Sequence, residues 1–330
     1  MKDIKILGLE SSCDDIGIGI LSINHEEKIL INEKFSKIAG KALGVIPEVV
    51  ARSHLEEVKG LFRYCLNKCN LKIEDIDVFA VTTCPGLIGG LIVGTTFIKT
   101  IATLNRKIFI PIHHLEGHIF AADIPLPSLI LLLSGGHSQL IYCQEFGVYK
   151  ILATTLDDAL GELFDKTGRL LGCNFPAGPA IEQLATLVEH EEFLPIPLKG
   201  KLSFSFSGLK TALARLISSD QTKDPSYFAR LLQNTVVRIL EEKVILAQQQ
   251  VGPLPVVMCG GVAANKFIRH VLGRKFDLIC PPIDLCTDNG LMIARAASHH
   301  IIHNTKYIND YNREAKGNCN LEDWWSITSI

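Results

Sequence analysis

The chain has 330 residues, 33 of them Lys or Arg and 35 Asp or Glu, and 47% are hydrophobic against 21% charged. At about 150 residues per domain this length predicts two lobes, and the apolar share excludes disorder as the global state. The near balance of charge excludes a strongly basic binding domain. Any nucleic-acid partner must be met by a local patch or by another protein's surface.

Met1 to Lys5 runs directly into the short apolar stretch Ile6–Leu9, which Glu10 stops. A signal peptide needs a longer apolar region, and no apolar run reaches the roughly 18–20 residues of a membrane span. A cytoplasmic location is expected, and no membrane partner. The ten cysteines are scattered, several of them in apolar strand-like runs (Cys84, Cys143, Cys259, Cys280), so buried reduced thiols are expected. Cys65 and Cys69 are four apart on a helical stretch, but no second ligand pair follows to complete a zinc site.

Strand-like and helix-like stretches alternate, as in an α/β protein. Ile4–Leu9 and Ile16–Leu21 read as strands joined by the polar turn Ser11-Ser12-Cys13-Asp14-Asp15. Glu48 to Cys69 has helical apolar spacing. Val78–Thr83 is a strand, followed by Pro85-Gly86, the glycine-rich Gly89-Gly90 and a helix to about Asn105; Ile108–Ile112 is a further strand. Leu129–Leu133 and Gln139–Cys143 form a second hairpin around Ser134-Gly135-Gly136. A strand-turn-strand at the head of each half points to internal duplication. The Pro- and Ser-rich stretch from Phe193 to Phe206 is a loop. Leu209–Ile217 and Tyr227–Gln249 are helical, and Val256–Cys259 is a buried strand. A last helix is expected from near Asp288 to about His303, and the tail after Lys306 is polar and irregular.

His114-Leu115-Glu116-Gly117-His118 is the sharpest local feature. On a helix its two imidazoles share a face and could bind one metal ion; the plain alternative is a pair of surface histidines. Glu116 lies roughly 200° around the helix from His114 and points away from such a metal. A protease with the H-E-x-x-H arrangement is therefore disfavoured. Asp288 could be a third ligand or simply a helix N-cap, and spacing alone leaves both open.

The Ser134-Gly135-Gly136 turn would let backbone N–H groups approach an anion, or be an ordinary hairpin turn. Gly260-Gly261-Val262-Ala263-Ala264-Asn265 is a strand, a glycine pair and a helix start, which suits either a nucleotide or close packing. Asp157 to Lys166 concentrates acids around packed Leu160, Leu163 and Phe164. Gly178 opens another helix, with Glu182 near its first turn.

Taken together, these segments resemble the TsaD family, the tRNA threonylcarbamoyladenosine transferases once labelled glycoproteases. The resemblance spans almost the whole chain. It rests on Glu10-Ser11-Ser12-Cys13-Asp14-Asp15, Gly44-Val45-Ile46-Pro47-Glu48, Pro85-Gly86-Leu87 and His114-Leu115-Glu116-Gly117-His118. It continues through Ser134-Gly135-Gly136-His137, Gly161-Glu162 with Phe164-Asp165-Lys166, and Phe204-Ser205-Phe206-Ser207-Gly208-Leu209-Lys210. Gly260 to Asn265 and Cys286-Thr287-Asp288-Asn289-Gly290 complete it. Cys84 departs from the pattern, standing where a glycine usually precedes Pro-Gly.

The resemblance implies the two-lobed actin-like, Hsp70-like and sugar-kinase (ASKHA) fold with an internal duplication and a nucleotide cleft between the lobes. The lobes are expected at residues 1–126, with 304–330 packing back on them, and at 127–303. It implies transfer of threonylcarbamoyl from its adenylate to the adenosine amine beside the anticodon of tRNA. His114, His118 and Asp288 become ligands of one divalent metal ion, iron(II) ahead of zinc. Leu132, Leu133, Ser134, Gly135, Gly136, Asp165, Gly178, Glu182 and Asn265 would surround the threonylcarbamoyl-adenylate. Asp14 or Asp15 is the expected general base, and a paralogous subunit and a small ATPase are the expected partners. The alternatives are a small-molecule phosphotransferase of the same fold, which has no use for the histidine pair, and a non-catalytic scaffold subunit.

Overall fold

A computed structural model describes residues 3–36, 46–220 and 222–326. It divides into two compact units, Met1–Asp123 with Thr287–Ile330, and Ile124–Cys286. Gly44 and Val45, part of one motif above, lie outside the described residues.

The first unit is built on a five-stranded sheet in the order β3-β2-β1-β4-β5. Its strands are β1 (Ile4–Glu10), β2 (Asp15–Ile23), β3 (Glu27–Ser36), β4 (Val78–Cys84) and β5 (Ile108–His113). β1, β2 and β3 form an antiparallel meander, and β4 and β5 extend it in parallel with β1. Every residue of β4 is buried, as continuous apolar strands covered on both faces are. β3 is the exposed edge, and its charged, half-exposed sequence gives no strong strand signal.

α1 (Pro47–Lys68) and α2 (Ile88–Leu104) pack together, and their apolar faces join Leu7, Leu9 and Phe79 of the sheet in one core. Pro47 opens α1 with the fixed φ suited to a first turn, and Glu48 and Lys68 sit at the ends that favour their charges. Short α3 (His114–Ile119) follows β5 directly.

The second unit repeats the topology. β6 (Ser128–Leu133), β7 (Ser138–Glu145) and β8 (Val148–Thr154) form an antiparallel meander. β9 (Val256–Cys259) and β10 (Leu278–Ile279) add in parallel, in the order β10-β9-β6-β7-β8. The duplication read from two hairpins is thus a whole repeated sheet. Helices α4 (Leu160–Leu170), α5 (Gly178–Ala185), α6 (Ser207–Ser219), α7 (Pro225–Val251) and α8 (Lys266–Gly273) cover it.

Two expectations need correcting. The helix expected from Asp288 to His303 is α9 (Gly290–Ile302), and it belongs to the first unit, where it packs on β1 and β2. The second boundary therefore falls at Cys286, not 303. The reason is steric. A Cβ on Gly8, Gly19 or Gly290 would collide with the backbone of the facing element, so helix and sheet are in backbone contact there.

The tail is not merely irregular. It includes α10 (Leu321–Ser326), whose Trp324 is 1% exposed, and Tyr307 is fully buried beside it. The Tyr307 hydroxyl donates to the Trp324 carbonyl at 2.8 Å. No described helix is long and apolar enough to cross a membrane.

Candidate metal centre

β5 delivers the chain into α3 with a built-in cap: the Leu115 amide donates to Nδ1 of His113 at 3.2 Å. One helical turn then puts His114 and His118 on the same side, ring centroids 4.7 Å apart. They are 5% and 1% exposed, so they are not surface histidines.

Asp288 meets them from the approach to α9. Its Oδ1 lies 3.1 Å from His118 Nε2 and 3.7 Å from His114 Nε2. The cap of α9 is the next residue, Asn289, whose Oδ1 accepts the Met292 amide at 3.0 Å. Asp288 is therefore not the cap of α9, and its carboxylate faces the two histidines instead.

Two residues that sequence reasoning did not assign complete the cluster. Cys13 brings its sulfur within 4.8 Å of the donor atoms of His114 and Asp288. Glu10, 1% exposed, places Oε2 3.1 Å from His114 Nδ1. The Thr82 hydroxyl and the Ser12 amide each donate to Glu10 at 2.6 Å. Both residues sit in the quoted Glu10–Asp15 motif, but only the fold carries that turn to α3.

Electrostatics follow from burial and pairing. Burial alone would lower His114, but Glu10 and Asp288 override it and push it up to about 9. Burial would raise Asp288 and Glu10; His114 beside each wins and holds both carboxyls below their usual range. Burial, then Asp288 and Glu10, push the Cys13 thiol well up.

This donor set fits a divalent transition cation. Imidazole nitrogens and a carboxylate oxygen converge, with a thiol beside them, as iron or zinc would require. His118 is buried, its Nδ1 meets no hydrogen-bond partner among the described residues, and its Nε2 has only the Asp288 oxygen, off hydrogen-bonding geometry, at 3.1 Å. A cation would satisfy such a buried, poorly partnered ring. Glu116 indeed points elsewhere: Oε2 lies 2.9 Å from His300 Nε2, and Oε1 accepts from Trp325 Nε1 at 3.0 Å. It ties α3 to α9 and α10. Of the proposed bases, Asp15 is occupied, accepting from the Ser36 hydroxyl and lying 3.7 Å from Lys34 Nζ. Asp14 sits in the turn before it.

The remaining candidates lie in the second unit. Ser134 spends its amide on the His137 carbonyl at 2.8 Å, which removes one of the expected anion donors. A Cβ on Gly135 or Gly136 would meet only open space. Leu132 and Leu133 are buried in β6. Gly260, at φ +88°, lies so close to the Leu133 carbonyl that no side chain fits. Asp165 accepts the Ala177 amide at 2.8 Å just before Gly178 opens α5, and burial raises its carboxyl.

Glu182 and Asn265 converge on the N-terminus of α8. Glu182 Oε1 accepts the Lys266 and Phe267 amides at 2.6 and 3.1 Å. Asn265 accepts the Ile268 amide at 2.9 Å and donates to Gln233 Oε1 at 2.8 Å. The dipole expected to attract Glu182 is thus that of α8, not of its own helix.

The family model for tRNA N6-adenosine threonylcarbamoyltransferase matches residues 28–295. The chain belongs to this family. A relative of the same description from Rickettsia rickettsii (strain Sheila Smith) is 42% identical over 344 aligned positions, spanning 97% of this chain and 99% of its own. One from Francisella tularensis subsp. holarctica is 39% identical, spanning 91% and 95%.

Solved structures share the fold at low identity. HypF from T. kodakarensis superposes with a TM-score of 0.65 at 13% identity, over 92% of this chain and 48% of its own. Component A of (R)-2-hydroxyglutaryl-CoA dehydratase from Acidaminococcus fermentans gives 0.51 at 15%, over 89% and 99%. The duplicated sheet of this threonylcarbamoyltransferase family member is therefore the ASKHA-like fold expected from its motifs.

Two cysteine expectations fare differently. Cys143 and Cys259 are free and buried, and Cys280 is free and partly buried. Cys84 is not a free thiol: it is disulfide-bonded to Cys319. Cys65 and Cys69 gather no third ligand among the described residues.

Proposed function

We propose that this chain transfers the threonylcarbamoyl group from threonylcarbamoyl-adenylate to the exocyclic amine of a tRNA adenosine, with AMP leaving. The observation that carries the reading is family membership over nearly the full chain, joined to the convergence of His114, His118 and Asp288.

In this reading those three residues would hold one divalent cation, iron(II) ahead of zinc, with the Cys13 sulfur close to the His114 and Asp288 donor atoms. When bound, the cation supplies Lewis acidity toward an oxygen of the activated donor. The chain's own residues do the rest. Glu10 fixes the His114 ring so that Nδ1 faces the carboxylate and Nε2 faces Asp288. The glycine amides of the Ser134–Gly136 turn stabilise negative charge developing on the donor. Asp165 and Glu182 position hydroxyl groups, while Asn265 and the Gly260-Gly261 turn hold the adenosine end. The proton leaving the amine is assigned to Asp14 or Asp15. Because net charge is near zero, a paralogous subunit and a small ATPase are proposed to supply part of the tRNA surface, in the cytoplasm.

The deciding experiment is product analysis. Incubate the chain with tRNA, threonine, bicarbonate, ATP and an adenylate-forming enzyme, then digest the tRNA and weigh its nucleosides. Threonylcarbamoyladenosine that depends on this chain supports the reading. Phosphorylation of a small molecule without any modified nucleoside would replace it with a phosphotransferase.

A further inference from the structure

We propose that Cys84 and Cys319 form a reversible thiol-exchange site whose chemical partner is a dithiol, and that it staples the C-terminal segment onto the first unit. The bond joins the end of β4 to a residue 235 positions later.

The flanking backbone runs along the same turn. Lys316 donates its amide to the Thr83 carbonyl at 2.9 Å, and the Gly86 amide donates to the Gly317 carbonyl at 3.0 Å. Beyond Cys319 the segment enters α10, where Trp324 packs edge-on to His113 at 5.5 Å and Trp325 reaches Glu116. The staple thus holds the strap that leans on α3.

The sulfurs have unequal access. Cys84 is 0% exposed, whereas Cys319 is partly exposed between the exposed residues Asn318 and Asn320. An incoming thiolate therefore attacks Sγ of Cys319. The S–S bond breaks, and Sγ of Cys84 leaves with the electron pair and takes a proton. The reductant's second thiol then resolves the mixed disulfide, freeing the Cys319 thiol. Two electrons pass, and the dithiol becomes a disulfide.

His113 stands beside this exchange, one of its ring nitrogens within 4.8 Å of both sulfurs. Its Nδ1 accepts the Leu115 amide at 3.2 Å, so the ring is held in place beside the two sulfurs. Where thiol reductants are abundant, the few disulfides that form are mostly those that cycle.

The test needs no tRNA. Both tryptophans of the chain, Trp324 and Trp325, lie in α10, so intrinsic fluorescence reports on the strap alone. Full-length protein is equilibrated over a series of dithiothreitol ratios, reduced to oxidised, then alkylated and mapped without reduction. Oxidised protein should yield one linked peptide pair containing Cys84 and Cys319. Reduction should red-shift the emission and speed tryptic cutting after Lys306 and Lys316 by about an order of magnitude, reversibly.

Cys319→Ser should behave as the reduced form and ignore the reductant; the wild-type titration decides the matter should that variant misfold. Absence of the linked peptide at every ratio overturns the proposal. So does a link that survives all dithiol, or reduction that changes neither emission nor cutting. One equivalent of zinc retained by reduced wild type but lost from Cys319→Ser would overturn it in favour of a metal site.

Discussion

Oε2 of Glu10 lies 3.1 Å from Nδ1 of His114, and both groups are buried. The carboxylate fixes which nitrogen of the ring faces Asp288. Glu10→Gln keeps the shape but removes the charge, and a lost partner of this kind costs roughly 10- to 100-fold in metal affinity. Competition of Co2+ against a chelator measures it, with circular dichroism checking the fold. Unchanged affinity would remove Glu10 from the site.

Asp288 and Asn289 are neighbours with separable tasks. Asn289→Ala removes the α9 cap and should cost about 1 kcal/mol of stability while bound metal stays near wild type. Asp288→Asn should do the reverse: metal retention and transfer fall sharply, while the α9 cap made by Asn289 stays in place. Should both variants lose stability and metal alike, the division of roles fails.

The raised His114 gives the pH dependence its sign. Its folded value of about 9 exceeds the ordinary 6.5, so its pairing stabilises the cation-free fold below about pH 6.5 and is lost as pH rises through about 9. Cation binding must displace that proton. Apparent affinity should therefore climb by up to tenfold per unit from about pH 7 to about pH 9, then level off. Chelator competition across that range checks it; a flat profile would contradict the assignment.

Gly19 faces the Leu291 backbone with no room for a side chain. Gly19→Ala should push α9 off β2, costing about 1–3 kcal/mol. Because Asp288 leads into α9, metal retention should drop in the same variant. Thermal melts and metal analysis of one preparation test both halves together.

At α8, Glu182→Ala would strip the Lys266 and Phe267 amides of their acceptor. A loss of about 1 kcal/mol is expected from the cap alone. A donor-binding role predicts more: a raised KM for threonylcarbamoyl-adenylate, read at a temperature where the variant is fully folded. An unchanged KM would leave Glu182 as a cap.

Much of the fold was legible in the residues because inner strands such as β1, β4 and β6 are continuous apolar runs bounded by glycine and polar turns. The edge strand β3 was not, since its half-exposed, charged sequence resembles a loop. The tail hid its order for another reason. Tyr307 and Trp324 stack on each other, and Trp324 packs on His113, which comes from far away in sequence. At the site, His114 and His118 announced themselves through helical spacing. Glu10 and Cys13 did not, because their proximity to α3 exists only after β1 has paired with β4 and β5 with β4. Spacing left open whether Asp288 caps the last helix; the structure gives that cap to the Asn289 side chain.

The first unit is assembled from both ends of the chain, while Ile124–Cys286 is one uninterrupted stretch. During vectorial synthesis the internal unit has its whole sequence before Thr287 exists. The opening sheet, in contrast, must wait with one flank uncovered until α9 emerges to seat against Gly8 and Gly19. Under the proposed metal-site reading, loading of a cation would be one of the last events in this protein's biogenesis. A ribosome stalled short of Asp288 would then leave a chain with two histidines in place and the third proposed ligand not yet made.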